Sequence, residues 1–100
     1  MPVPKYDDLF TPLLKALHEL GGSASISEQE DRVASDLGLS DKDVAEIHRG
    51  STTKLNYMLA WARTYLKKFG LHENSSRGIG ALTKQGLKVK AVDKNEVRRA

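Results

Sequence analysis

The stretch Thr53-Lys54-Leu55-Asn56-Tyr57-Met58-Leu59-Ala60-Trp61-Ala62-Arg63-Thr64-Tyr65-Leu66-Lys67-Lys68-Phe69-Gly70 decides how this chain is read. At about 100° per residue, Leu55, Met58, Leu59, Ala62, Leu66 and Phe69 fall on one side, the buried stripe of an amphipathic helix. The opposite side collects Thr53, Asn56, Tyr57, Ala60, Arg63, Thr64 and Lys67, with Trp61 and Lys68 towards one edge. That side is positive and holds no carboxylate. The polar turn Gly50-Ser51-Thr52-Thr53 supplies N-cap hydroxyls, and Gly70 stops the helix. The spacing therefore predicts a long helix over 53–69.

Beyond Gly70 the pattern changes to Leu71-His72-Glu73, then Asn74-Ser75-Ser76-Arg77-Gly78, then Ile79-Gly80-Ala81-Leu82-Thr83. Two short strands joined by a turn rich in Asn, Ser and Gly fit this stretch. Thr83-Lys84-Gln85-Gly86 starts a final helical turn through Leu87 and Val89. The polar run 93–100 reads as a linker or tail. Upstream, Leu9, Phe10, Leu13, Leu14, Leu17 and Leu20 form the stripe of a first helix, with Pro12 near its start and Gly21-Gly22 after it. Ser27 and Glu30 suit the capping box of a short second helix ending at Gly38. Ser40-Asp41-Lys42-Asp43 opens a third, from about Asp41 to His48.

One hundred residues make one domain, with a core large enough to fold alone. The chain has no cysteine, which removes disulfides, thiolate zinc ligands and thiol nucleophiles. Neither a leader peptide nor an apolar run of about 18 residues is visible, so a cytoplasmic protein away from membranes is expected. His18, His48 and His72 lie in different elements without ligand spacing and read as surface imidazoles, so no metal or cofactor is expected. The carboxylates of the second and third helices are spaced for capping and solvation, not as a catalytic pair, and this chain is not expected to be an enzyme.

Charge is divided along the chain. Residues 1–50 hold five bases against ten acids, net −5, and residues 51–100 hold eleven against three, net +8. Such a division suits one face that meets a polyanion and another that repels it.

Three helices, the last long and basic, followed by a two-stranded hairpin, give a mainly α fold with a small β-hairpin: a winged helix-turn-helix of three to four helices plus a wing. In that architecture the long helix enters the major groove of double-stranded DNA and the wing touches backbone or minor groove. Ser51, Thr52, Thr53 and the helix N-terminus are then expected at phosphate, and Lys54, Arg63 and Lys67 neutralise phosphates. Tyr57 shares their face. Asn56 either pairs with adenine or faces solvent. Ser75, Ser76 and Arg77 belong to the wing, with Arg77 at its tip. Trp61 and Tyr65 read as wedged at the edge of the core rather than stacked on bases.

The run Pro4-Lys5-Tyr6-Asp7-Asp8-Leu9-Phe10-Thr11-Pro12-Leu13-Leu14, the run Trp61-Ala62-Arg63-Thr64-Tyr65-Leu66-Lys67-Lys68-Phe69-Gly70-Leu71, then Arg77-Gly78 and Leu82-Thr83-Lys84-Gln85-Gly86 resemble the N-terminal domain of Mrr restriction-system proteins. The resemblance runs from about Pro4 to Val89. It implies a winged-helix recognition domain, here 1–92, that 93–100 joins to a C-terminal nuclease domain in cis. The whole would be a type IV restriction endonuclease cutting modified, methylated DNA. Two other readings fit a winged helix: a free-standing transcription regulator binding as a homodimer, and a module for protein contact.

Overall fold

The computed structural model describes residues 4–45, 47–49 and 52–99. Tyr6–Leu9 make one 3-10 turn that leads into helix α1, Phe10–Glu19. Leu9, Phe10, Leu13, Leu14 and Leu17 are all buried, as the stripe requires. Pro12 sits in the first turn, where no intrahelical N–H is needed.

Strand β1, Ser23–Ser25, precedes α2, Ile26–Leu37. The α2 cap is Ser25, not Ser27: the Glu28 N–H donates to Ser25 Oγ at 3.2 Å, and the Ser25 N–H donates to Glu28 Oε1 at 3.0 Å. Two Ser-to-Glu boxes overlap in the sequence. The earlier one is used because Ser23–Ser25 pairs antiparallel with a strand far along the chain, which leaves Ser25 extended.

The third helix is shorter than its pattern predicts. α3 covers only Asp41–Val44, opened by the Ser40–Asp43 capping box. Ile47–Arg49 is instead strand β2, paired antiparallel with β3, Thr52–Thr53. Ile47, Thr52 and Thr53 are β-branched and favour extended backbone, which outweighs continuation of the helix. α4 then runs Lys54–Phe69 with Thr53 as cap and Gly70 left-handed at its end. Leu55, Leu59, Ala62 and Leu66 are buried against α1 and α2.

The wing is β4, His72–Ser76, and β5, Ile79–Leu82, around a tight turn at Arg77-Gly78. β5 is the middle strand of a three-stranded antiparallel sheet ordered β1-β5-β4, so the predicted two-stranded hairpin gains a third member. Helix α5, Lys84–Lys88, is capped by Thr83, whose hydroxyl accepts from the Gly86 N–H at 3.0 Å and donates to the Gly70 carbonyl at 2.6 Å.

Lys94–Arg99 form helix α6 in the region read from the sequence as a polar tail. Val97 is fully buried, Arg98 pairs with Asp7 at 2.9 Å and Lys94 with Asp8 at 3.0 Å. The result is a mainly α, winged-helix-like fold in which α4 and the wing share one flank. Among the described residues no helix is long and apolar enough to cross a membrane.

Candidate nucleic-acid interface

A groove runs along the flank between the start of α2, the outer side of α4 and the wing. Its two adjoining hollows, about 310 and 330 Å³, share Ile26, Arg63 and Asn74 in their walls. Ser76, Arg77 and Gly80 complete the end at the wing, and Ala60, Thr64, Lys67 and His72 the end at the helix. No carboxylate lines either hollow.

The residues singled out from the sequence divide within this geometry. Arg63, Lys67, Ser76 and Arg77 come together around the groove. Ser75 is exposed at the irregular step of β4 between Asn74 and Ser76, outside the groove wall. Thr53 is engaged: its hydroxyl accepts from the Asn56 N–H at 3.1 Å and donates to Glu30 at 3.2 Å. Asn56 is half-buried, and its Oδ1 has no hydrogen-bond partner among the described residues. Lys54 begins α4, and Tyr57 stands edge-on to Trp61 with ring centroids 6.4 Å apart. Ser51 lies outside the described residues, and Thr52 is placed only as part of β3.

Beneath the groove lies a polar layer that the sequence did not announce. Gln29 is fully buried: its Nε2 donates to the Ala24 carbonyl at 2.8 Å, and its Oε1 accepts from Arg63 Nη1 at 3.5 Å. This long contact tethers the guanidinium at the groove floor. Burial lowers the Arg63 pKa and the Glu30 carboxylate opposes that shift. His72 is only 3% exposed, so it is not a surface imidazole. Glycine at 80 allows this layer to form, because a Cβ there would lie 2.6 Å from His72 Nε2 and 2.7 Å from Gln29 Nε2.

Burial first, then the charges of Arg63 and Lys67, push His72 from 6.5 down to about 4. The unfolded chain therefore takes up a proton at a higher pH than the folded one. Stability is fully present above pH 6.5 and is lost as pH falls towards 4. The expected loss is about 2 to 3 kcal/mol, read as a falling Tm across that window. His72→Gln should flatten that segment of the profile, and an unchanged profile would exclude His72 as its source.

Ion pairs form away from the groove. Arg32 holds Glu19 at 3.1 Å and Asp36 at 3.6 Å, and α6 neutralises Asp7 and Asp8. Lys67 and Arg77 have no ion-pair partner among the described residues. The other edge of α4 is aromatic. Trp61 is 44% exposed rather than wedged into the core, while Tyr65 is half-buried and stacks on Tyr6 at 5.1 Å.

The chain is 31% identical over 87 residues to the type IV methyl-directed restriction enzyme EcoKMrr of Escherichia coli (strain K12). That match covers 87% of this chain and 29% of the relative, so the chain spans under a third of the relative's length. No solved structure matches it. The family model described as the Mrr N-terminal domain matches residues 6–91, from the 3-10 turn before α1 to just beyond α5, and the chain belongs to that family.

Proposed function

We propose that this chain binds double-stranded DNA through the outer side of α4 and the wing. It acts as the recognition domain of a type IV restriction endonuclease directed to methylated DNA, whose nuclease activity resides in a separate C-terminal domain. The observation that carries this reading is the groove itself: Arg63, Lys67 and Arg77 line walls without a carboxylate, while Asp7, Asp8, Glu19 and Asp36 of the first half are ion-paired elsewhere. Cations left unmatched in this way suit phosphates, whose neutralisation releases condensed counterions. α4 supplies the element that fits a major groove, and Arg77 at the wing turn suits the backbone or the adjacent minor groove. Family membership and the restriction-enzyme relative support the same reading.

Amide chemical-shift mapping with a short duplex tests which surface is used. Shifts are expected at Ala60, Arg63, Thr64, Lys67, Asn74 and Arg77. Shifts confined to α2 and α3 would overturn this assignment of the interface.

A further inference from the structure

We propose that DNA binding in this groove is coupled to a proton: a backbone phosphate seated at Arg63 and Lys67 draws a proton onto His72, the buried imidazole in the same wall. The inference rests on the DNA-binding reading above and adds to it a pH-sensitive element inside the interface.

His72 opens β4 and pairs with Leu82 of β5. Its side chain lines the helix end of the groove together with Arg63 and Lys67, yet it is almost fully buried and neither ring nitrogen has a hydrogen-bond partner among the described residues. Buried polar atoms are nearly always paired, so an imidazole with both nitrogens idle is an exception that calls for a cause. Glycine at 80 leaves the space the ring occupies. With no carboxylate or carbonyl sharing its proton, the ring answers to whatever charge enters the hollow beside it.

The charged groups that act on the ring are Arg63 and Lys67, both from α4. α2 presents the uncharged Gln29, and its Glu30 acts on Arg63. β5 carries no titratable residue, and Glu73, next along β4, is exposed on the other face of the strand. Burial and the two cations keep His72 neutral in the free chain near pH 6. A phosphate that meets both cations offsets their repulsion and adds an attractive charge of its own, so the imidazolium forms more readily in the complex than in the free chain. By linkage, the complex then becomes stronger as pH falls. A phosphodiester keeps its single charge throughout this range, so the proton resides on the protein. The sign is opposite to that of folding stability, which declines over the same window.

Affinity for one duplex is measured by fluorescence anisotropy at pH 7.5 and at pH 5.5, at a fixed low salt concentration, for the full chain and for His72→Gln. The ring Cε1–H signal of His72 is recorded by NMR at pH 5.5 with and without the duplex. Wild-type affinity at pH 5.5 should exceed that at pH 7.5 by about three- to tenfold, the upper value being reached when the phosphate returns His72 to its ordinary 6.5. His72→Gln should bring that ratio close to one, and the His72 ring should be neutral in the free chain and largely charged in the complex. Equal wild-type affinity at the two pH values overturns the inference and leaves DNA binding intact. A preference for low pH that survives His72→Gln overturns it too, as does a ring that stays neutral in the complex; if the variant does not fold, the ring signal decides. Absence of binding at both pH values overturns the DNA-binding reading and this inference together.

Discussion

Gly86→Ala is expected to destabilise the domain by about 3 kcal/mol, the upper end of the cost of overpacking a closed site. Gly86 is buried in α5, and a Cβ there would run into the carbonyl oxygen and carbon of Leu71 and approach Leu82 Cδ2 at 3.2 Å. The obstacle is backbone. The Leu71 N–H donates to the Leu66 carbonyl at 3.0 Å, and its own carbonyl accepts from the Thr83 N–H at 3.1 Å, so it cannot yield without opening the junction between α4 and the wing. Gly80 differs, since the atoms near its absent Cβ are the ends of the His72 and Gln29 side chains, which can turn away. Thermal unfolding should show Gly86→Ala melting about 15 °C below the wild type. A variant that melts with the wild type would contradict the packing of α5 against Leu71.

Removing Arg63, Lys67 and Arg77 together should lower duplex affinity by about a hundredfold, since each contact between a cation and a phosphate contributes on the order of 1 kcal/mol or more. Loss on this scale should be similar for every sequence, because phosphates carry no base identity. Arg63→Ala also leaves Gln29 Oε1 without its partner, so some lost stability is expected from that change. Lys67 and Arg77 are exposed, and the Lys67→Ala/Arg77→Ala pair should lose affinity at an unchanged Tm. An affinity that survives the triple change would place the interface elsewhere.

The parts of this fold legible in the sequence are those set by neighbours within a few residues. α4 falls within one residue of its expected span, since its cap Thr53, its stop Gly70 and the apolar stripe between them are all local. The wing strands were legible for the same reason, although the turn tightens to Arg77-Gly78. Illegible features depend on distant partners. Ser23-Ala24-Ser25 is three small residues with no strand pattern of its own, and its pairing with β5 both makes it a strand and moves the α2 cap to Ser25. α6 has one apolar residue, Val97, among charges, and the carboxylates that anchor it lie at the other end of the chain.

The site follows the same rule. A positive, carboxylate-free face on α4 was readable at helical spacing, and so were the wing residues Ser76 and Arg77. The tether from Gln29 to Arg63 was not, because it joins α2 to α4 across the groove floor. Burial of His72 depends on the missing side chain at Gly80, on the neighbouring strand. An indole beside a core stripe is usually buried, but Trp61 is exposed because the neighbouring edge is occupied by Tyr65 stacked on Tyr6.

The most direct measurement of the central claim is the affinity of this chain for a DNA duplex as a function of salt concentration. With Arg63, Lys67 and Arg77 each meeting a phosphate, the logarithm of the association constant should fall with the logarithm of salt at a slope of about −3, and by about two less in Lys67→Ala/Arg77→Ala. Affinity that does not change with salt, or no binding at low salt, would contradict the assignment of this face to DNA.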